Sequence, residues 1–367
     1  MISAGGTGGG VYPALAVAGA LRRLYPDARL LFVGARGDMA RDLVERASDE
    51  VQFDHYYEVL SGPVHGVPRL RQLISGLKII IGIVQSLILA VRQRPHALFL
   101  TGGWVGFPMA VACWLVRCPI VIYVPDIEPG LTLRILGRYF AKAIAATVAE
   151  TVQFYPGRHV VETGYPLRRE ILDADRAQSI RKLRLDPDRR TLLVFGGSRG
   201  SRSINTALGT IAPALLAEGL QIVHISGKLD WPQVQAQHAA LSDDQKAYYQ
   251  IYSFLPDIGQ AFAAADLVIS RAGAATLAEY PQLGLPAILV PYPYAWRYQK
   301  VNADHLVERG AAVRLDDDKL GEDLLPTIRG LLNDPGRLDA MRDAALALRQ
   351  PNGAENIARL IVETARR

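Results

Sequence analysis

The sequence predicts an α/β protein built as two Rossmann-like domains, each a parallel sheet covered by helices on both faces. Three observations predict it. The chain has 367 residues, whereas a single hydrophobic core stops growing at roughly 250–300, so two cores are expected. Short apolar, β-rich runs alternate with helical patterns along most of the length. Two glycine-rich turns, Ser3-Ala4-Gly5-Gly6-Thr7-Gly8-Gly9-Gly10 and Val194-Phe195-Gly196-Gly197-Ser198-Arg199-Gly200-Ser201, open halves of similar pattern.

In order, the expected strands are Leu30–Val33, Ala97–Leu100, Ile120–Val124, Leu192–Phe195, Ile222–Ile225, Leu267–Ile269 and Ala287–Val290. Each is almost wholly apolar, as strands buried on both faces must be. Several end in glycine or proline ahead of helix-compatible sequence, as at Thr101-Gly102-Gly103 and Val290-Pro291-Tyr292. Loops at the C-terminal ends of parallel strands are where such sheets bind ligands. The two halves should divide at Gly164-Tyr165-Pro166-Leu167-Arg168, where a pre-proline residue is pushed toward extended backbone and a charged helical segment follows. This gives an N-terminal domain over 1–164 and a C-terminal domain over 165–349. A break at Arg349-Gln350-Pro351-Asn352-Gly353 sets off a last helix, about Ala354–Ala365 within 350–367, expected to pack back on the N-terminal domain.

Half the residues are hydrophobic and 21% are charged, enough apolar material for two cores and no signature of disorder. A net charge of +5 is a mild bias toward phosphates or anionic lipid. Cys113 and Cys118 lack the second pair that a zinc site needs and are expected to be reduced core thiols. The opening Met-Ile-Ser-Ala-Gly-Gly has neither the basic nor the apolar region of a signal peptide, so a cytoplasmic location is expected.

Between Leu70 and Arg92 the chain is nearly all apolar. Lys78 and Gln85 interrupt the run, and a span needs about 20 predominantly apolar residues, so a buried core helix is the first expectation. Arg69, Arg71, Lys78, Arg92 and Arg94 surround it, which also fits a helix that presents a membrane patch of Ile74, Leu77, Lys78, Ile81, Gln85 and Ile88 to anionic lipid.

The first glycine loop brings backbone amides to a helix expected from about Pro13. It fails the dinucleotide fingerprint, because Val11 stands where the third glycine belongs and no acidic residue closes the next strand. No Gly-Lys-Ser/Thr follows, which excludes a P-loop. The second loop, with Ser198, Arg199 and Arg202 at a helix start, suits a diphosphate; its bland alternative is a plain strand-to-helix turn. In Ser270-Arg271-Ala272-Gly273-Ala274-Ala275-Thr276-Leu277-Ala278-Glu279, Gly273 permits a tight turn and Ala274–Thr276 can present amides to phosphate. Glu279 can accept from two adjacent sugar hydroxyls, or simply complement the helix dipole. Arg297, Tyr298, Gln299 and Asn302 follow at near-helical spacing and could read sugar hydroxyls.

Together Gly5-Gly6-Thr7-Gly8-Gly9, Tyr12-Pro13-Ala14-Leu15-Ala16, Gly102-Gly103, Pro129-Gly130-Leu131-Thr132, Gly164-Tyr165-Pro166-Leu167-Arg168, the second glycine loop and Ser270–Glu279 resemble the MurG family in order and spacing. These are the undecaprenyl-pyrophosphoryl-muramoyl-pentapeptide N-acetylglucosaminyltransferases of glycosyltransferase family 28, and the resemblance covers almost the whole chain. It implies a GT-B fold, with two parallel sheets facing a central cleft, and transfer of N-acetylglucosamine with inversion from UDP-N-acetylglucosamine to lipid I. No cofactor or metal is implied, so the acidic run Asp316-Asp317-Asp318 is expected to be a solvated loop. The implied partners are a UDP-sugar, an undecaprenyl-linked acceptor and an anionic membrane surface on the inner face of the cell membrane, with no nucleic acid. By the same resemblance Glu279 holds the ribose, Ser198 and Arg199 with the amides around Gly197 hold the diphosphate, Arg168 lies near the leaving group, and backbone near Leu255 reads the uracil. Gly273, Ala274, Ala275 and Thr276 join the donor site, Gln299 and Asn302 face the donor sugar, and Thr7, Gly8 and Gly9 complete it from the first loop.

Departures fall mainly on the acceptor side. Gly10 stands where the family closes its first loop with histidine, and Tyr123-Val124-Pro125-Asp126 replaces His-Glu-Gln-Asn. Tyr298-Gln299 replaces a pair of glutamines, and the strand ahead of the first loop is short, which predicts a start upstream of Met1. Asp126 is the expected general base, with Glu128 and Tyr12 behind it. The alternatives are a different acceptor, a UDP-sugar epimerase on the same fold, or a non-catalytic paralogue that retains nucleotide binding.

Overall fold

The computed structural model describes residues 1–5, 8–47, 51–63, 68–197, 200–294 and 298–366, without the side chains of Arg69 and Leu70. Contacts divide the chain into two units, Met1–Arg168 with Pro351–Arg367, and Arg169–Gln350.

The first unit holds seven strands: β1 (Ile2–Ser3), β2 (Leu31–Ala35), β3 (His55–Val59), β4 (Leu98–Leu100), β5 (Ile120–Val124), β6 (Ala143–Ala146) and β7 (Val160–Glu162). Their order is β3-β2-β1-β4-β5-β6-β7, and every pairing is parallel, with Ile2 level with Phe32 on one side and Phe99 on the other. The second unit holds β8 (Thr191–Phe195), β9 (Gln221–Ile225), β10 (Tyr249–Tyr252), β11 (Leu267–Ser270), β12 (Ala287–Leu289) and β13 (Ala312–Arg314), again all parallel, in the order β10-β9-β8-β11-β12-β13. These are the two Rossmann-like sheets expected. The strands legible in the sequence are mostly central ones, where both faces are covered and nearly every position is apolar; β5 is buried throughout. Among the strands the sequence hid are β3, an edge strand whose His-Tyr-Tyr-Glu-Val is mostly exposed or half-exposed, and β6, whose Ala-Ile-Ala-Ala reads as helix.

The first helix begins at Gly8, not near Pro13, and runs to Leu24 with Pro13 inside it. The apolar segment after β3 forms one helix, Arg69–Gln93, and corrects the expectation of a buried core helix. By length and composition it could cross a membrane, yet its two faces differ. Ser75, Gly82, Ser86 and Ala90 are buried, and a Cβ at Gly82 would run into the Leu60 carbonyl. Leu73, Leu77, Ile80, Val84, Ile88 and Val91 lie on the opposite stripe, exposed by 48–73%. Small residues thus face the protein and large aliphatic ones face outward, the reverse of a soluble amphipathic helix. The helix packs against Gly106–Leu115, which exposes Trp114 and Leu115 as well. Gln85 leaves the expected patch: its Oε1 accepts from the Leu60 amide at 2.8 Å, because the backbone leaving β3 needs an acceptor there.

The last helix, Gly353–Arg366, belongs to the first unit and lies against Gly8–Leu24. Ala354, Ile357, Ala358 and Ile361 form the buried stripe at helical spacing. Asn356 Nδ2 donates to Thr163 O at 3.1 Å, and Arg23 pairs with Glu355 at 2.6 Å.

Candidate active site

In the first unit, the expected acceptor residues gather at the C-terminal ends of β1, β4 and β5, which are neighbours in the sheet. β1 leads into Gly5, and Gly103 after β4 presses on it: a Cβ at Gly103 would sit 2.7 Å from Gly5 O, and its φ is +80°. Only glycine allows that approach. Thr101 Oγ1 donates to Gly10 O at 2.7 Å, so the position that lacks the family's histidine is tied into the helix start by its backbone. Thr7 lies outside the described residues, while Gly8 and Gly9 form the first residues of the helix. Tyr12, one turn on, carries the Arg168 guanidinium over its ring at 4.7 Å.

After β5, Asp126 is half-buried and Glu128 buried. Glu128 is paired with Arg134 at 3.1 Å. Tyr123, which stands in a histidine position, does not substitute for it. Its ring is fully buried, its hydroxyl shares a 2.8 Å hydrogen bond with Thr147, and burial, then the nearby Tyr165 and Asp126, push its pKa well above the usual value. Asp38 follows β2 and lies against Gly5: a Cβ on Gly5 would meet its carboxylate at 2.5 Å. No motif signals such a contact.

In the second unit, the loops after β8 and β11 occupy adjacent strand ends. Ser198 and Arg199 lie outside the described residues, as does Arg297. Gly197 has φ +86°, and a Cβ at Gly200 would run into Ser226 O, so Gly200 is seated just past the end of β9. The next helix, Arg202–Ala217, is held from beneath by a buried network. Asn205 Nδ2 donates to Ser226 O and to Asp230 Oδ2, which leaves its Oδ1 to accept from His224 Nε2 at 2.9 Å; His224 Nδ1 then accepts from the Tyr249 hydroxyl at 2.9 Å. Burial depresses the His224 pKa to about 3, so this imidazole is neutral. Arg202 pairs with Asp230 at 3.0 Å, which ties it to this network.

Gly273 corrects the sequence reading. It has no positive φ and a Cβ there would meet nothing within 4 Å, so this glycine leaves room at the loop surface and relieves no strained turn. Thr276 is corrected too: its amide donates to Gly273 O at 3.0 Å and is not available for phosphate. Among the described residues, the half-exposed Ala274 and Ala275 amides carry no hydrogen bond. They lie beside the start of Thr276–Leu283, whose first turn holds Glu279. Asn302 is buried, and its Nδ2 donates to Ala272 O at 3.3 Å, beneath the same loop. Gln299 Oε1 accepts from the Tyr292 amide at 2.8 Å, and Leu255 is half-exposed between β10 and Ile258–Ala264. Asp317 is no solvated residue: it pairs with Arg271 at 2.5 Å.

The sequence matches the glycosyltransferase family 28 N-terminal domain over residues 1–145 and the C-terminal domain of that family over residues 191–359. A UDP-N-acetylglucosamine--N-acetylmuramyl-(pentapeptide) pyrophosphoryl-undecaprenol N-acetylglucosamine transferase of Desulforudis audaxviator is 37% identical, covering 100% of this chain and 98% of its own. The chain belongs to glycosyltransferase family 28. The transferase of that name from Roseiflexus sp. is 36% identical over 97% of this chain and 93% of its own. Among solved structures, MurG of Acinetobacter baumannii superposes with a TM-score of 0.76 at 27% identity over 99% of both chains. A UDP-GlcNAc 2-epimerase from Neisseria meningitidis shares the fold alone, at TM-score 0.65 and 13% identity over 99% of this chain and 98% of its own. The family's GT-B fold accounts for the two parallel sheets.

Proposed function

We propose that the chain transfers N-acetylglucosamine from UDP-N-acetylglucosamine to a lipid-linked muramoyl-pentapeptide, lipid I, in peptidoglycan synthesis. The observation that carries this reading is the full-length similarity to transferases of that name, joined to an anion-ready rim at the ends of β8 and β11. The Ala274 and Ala275 amides and those around Gly197 meet the diphosphate, Glu279 takes the ribose hydroxyls, and Leu255 lies beside the base. Asp126 removes the proton from the acceptor hydroxyl, that oxygen attacks the anomeric carbon from the face opposite UDP, and the carbon–oxygen bond to UDP breaks with inversion. Amide dipoles and Arg168 stabilise the departing diphosphate, so the proposal needs no metal. The chain works as a peripheral protein on the cytoplasmic face of the membrane, through the exposed stripe of Arg69–Gln93 with Arg71, Lys78 and Arg92 around it.

Product analysis with purified lipid I and UDP-N-acetylglucosamine tests the reaction. A disaccharide lipid product supports it; donor binding without transfer would overturn it. One observation favours a second reading, a related acceptor: Gly10 and the buried Tyr123 leave the acceptor rim without either family histidine. Turnover of a different lipid-linked acceptor in place of lipid I would establish that reading.

A further inference from the structure

At the C-terminal rim of the second sheet, one guanidinium ties its own loop to the segments that follow three neighbouring strands. Arg271 follows β11, and its side chain is only 11% exposed. Its Nη1 donates to Val290 O at 3.2 Å and to Pro291 O at 3.3 Å, just past β12, and lies 2.5 Å from Asp317 Oδ1. Asp317 opens the short turn Asp317–Lys319 that follows β13. Nη2 donates to Ser203 Oγ at 2.8 Å, in the first turn of the helix after the second glycine loop, and Ser203 Oγ donates in turn to the same Asp317 oxygen at 2.6 Å. β8, β11, β12 and β13 are consecutive neighbours in the sheet, so the cluster joins the ends of four adjacent strands.

A planar guanidinium presents its donors in a fixed fork, so it sets the angles among its partners as well as their distances. Asp317 balances its charge, and the phosphate is left to the loop amides. We infer that Arg271, Ser203 and Asp317 form a clamp that holds the second glycine loop and the Gly273–Thr276 loop at the separation a nucleoside diphosphate requires. Ser203 and Asp317 are then positioning residues for donor binding. This inference rests on the donor site proposed above.

The test is calorimetric titration of the full-length chain with UDP, beside steady-state kinetics in UDP-N-acetylglucosamine. Ser203→Ala and Asp317→Ala each raise the UDP Kd and the donor KM about tenfold or more, the scale of one hydrogen bond to a charged group, while kcat at saturating donor changes less than about threefold. The double variant is no weaker than the worse single one, because both act through one oxygen. Asp317→Asn, which keeps that oxygen, restores most of the affinity, and Ser203→Ala covers the case in which Asp317→Ala fails to fold. A UDP Kd within about twofold of wild type in Ser203→Ala overturns the clamp, whether Asp317→Ala shows no change, only a lower Tm, or no folded protein. Wild-type protein that binds no UDP overturns the donor site itself.

Discussion

Replacing Leu77 and Ile80 together by glutamine should release the protein from vesicles without unfolding it. Both sit on the outward stripe of Arg69–Gln93, 61% and 62% exposed. Full burial of a Leu or Ile side chain contributes about 1.5–3 kcal/mol, so the area each still has to bury is worth about 1–2 kcal/mol. The pair contributes about 2–4 kcal/mol, a weakening of roughly 30- to 800-fold in partition coefficient if both enter the lipid. Because the substituted groups contact little protein, stability should change by less than about 0.5 kcal/mol per site. Co-sedimentation with vesicles of anionic and zwitterionic lipid reads the partition, and thermal unfolding reads the stability. Lys78→Glu should weaken binding to anionic vesicles alone, with an effect that fades at high salt. Partition of the double variant within about threefold of wild type, in protein with an unchanged Tm, would refute the membrane face.

Asp126→Asn should lower kcat by about 10²–10⁴-fold while UDP binding persists, read by product formation beside titration; full turnover would remove Asp126 as the base. Gly82→Ala should destabilise the fold by about 1–3 kcal/mol in denaturant unfolding, because the new methyl meets the Leu60 carbonyl. His224 makes stability depend on pH with a defined sign. Its folded pKa of about 3 lies below the ordinary 6.5, so between those values the unfolded chain binds a proton that the folded chain does not. Stability from this group is complete above pH 6.5 and falls as pH drops, by about 1.4 kcal/mol per unit. Urea unfolding at pH 6 and 4.5 should show His224→Asn with a shallower slope than wild type by about 2 kcal/mol over that interval.

The central strands were legible because parallel strands covered on both faces have few polar positions to disguise them. β3 and β6 were not, since edge exposure and an alanine run erase that pattern. At the loops after β8 and β11 the sequence could not give the state of single groups. Motif spacing cannot reveal that the Thr276 amide is already bonded, that Asn302 lies beneath its loop, or that Asp317 is paired with a residue 46 positions away from it in the chain.

What the sequence determined by itself was therefore local or periodic: two α/β units, glycine loops at strand ends, and a long apolar helix after β3. Which face of that helix meets the protein was decided only by tertiary structure. Its buried side is set by the space Leu60 leaves for Gly82, and its outward side by the absence of any packed neighbour among the described residues. The same holds for the carboxylates after β5, alike in sequence, of which Arg134 claims Glu128. Hydrophobic pattern records how much a segment must bury, while the partner that buries or charges it is supplied by chain distant in sequence.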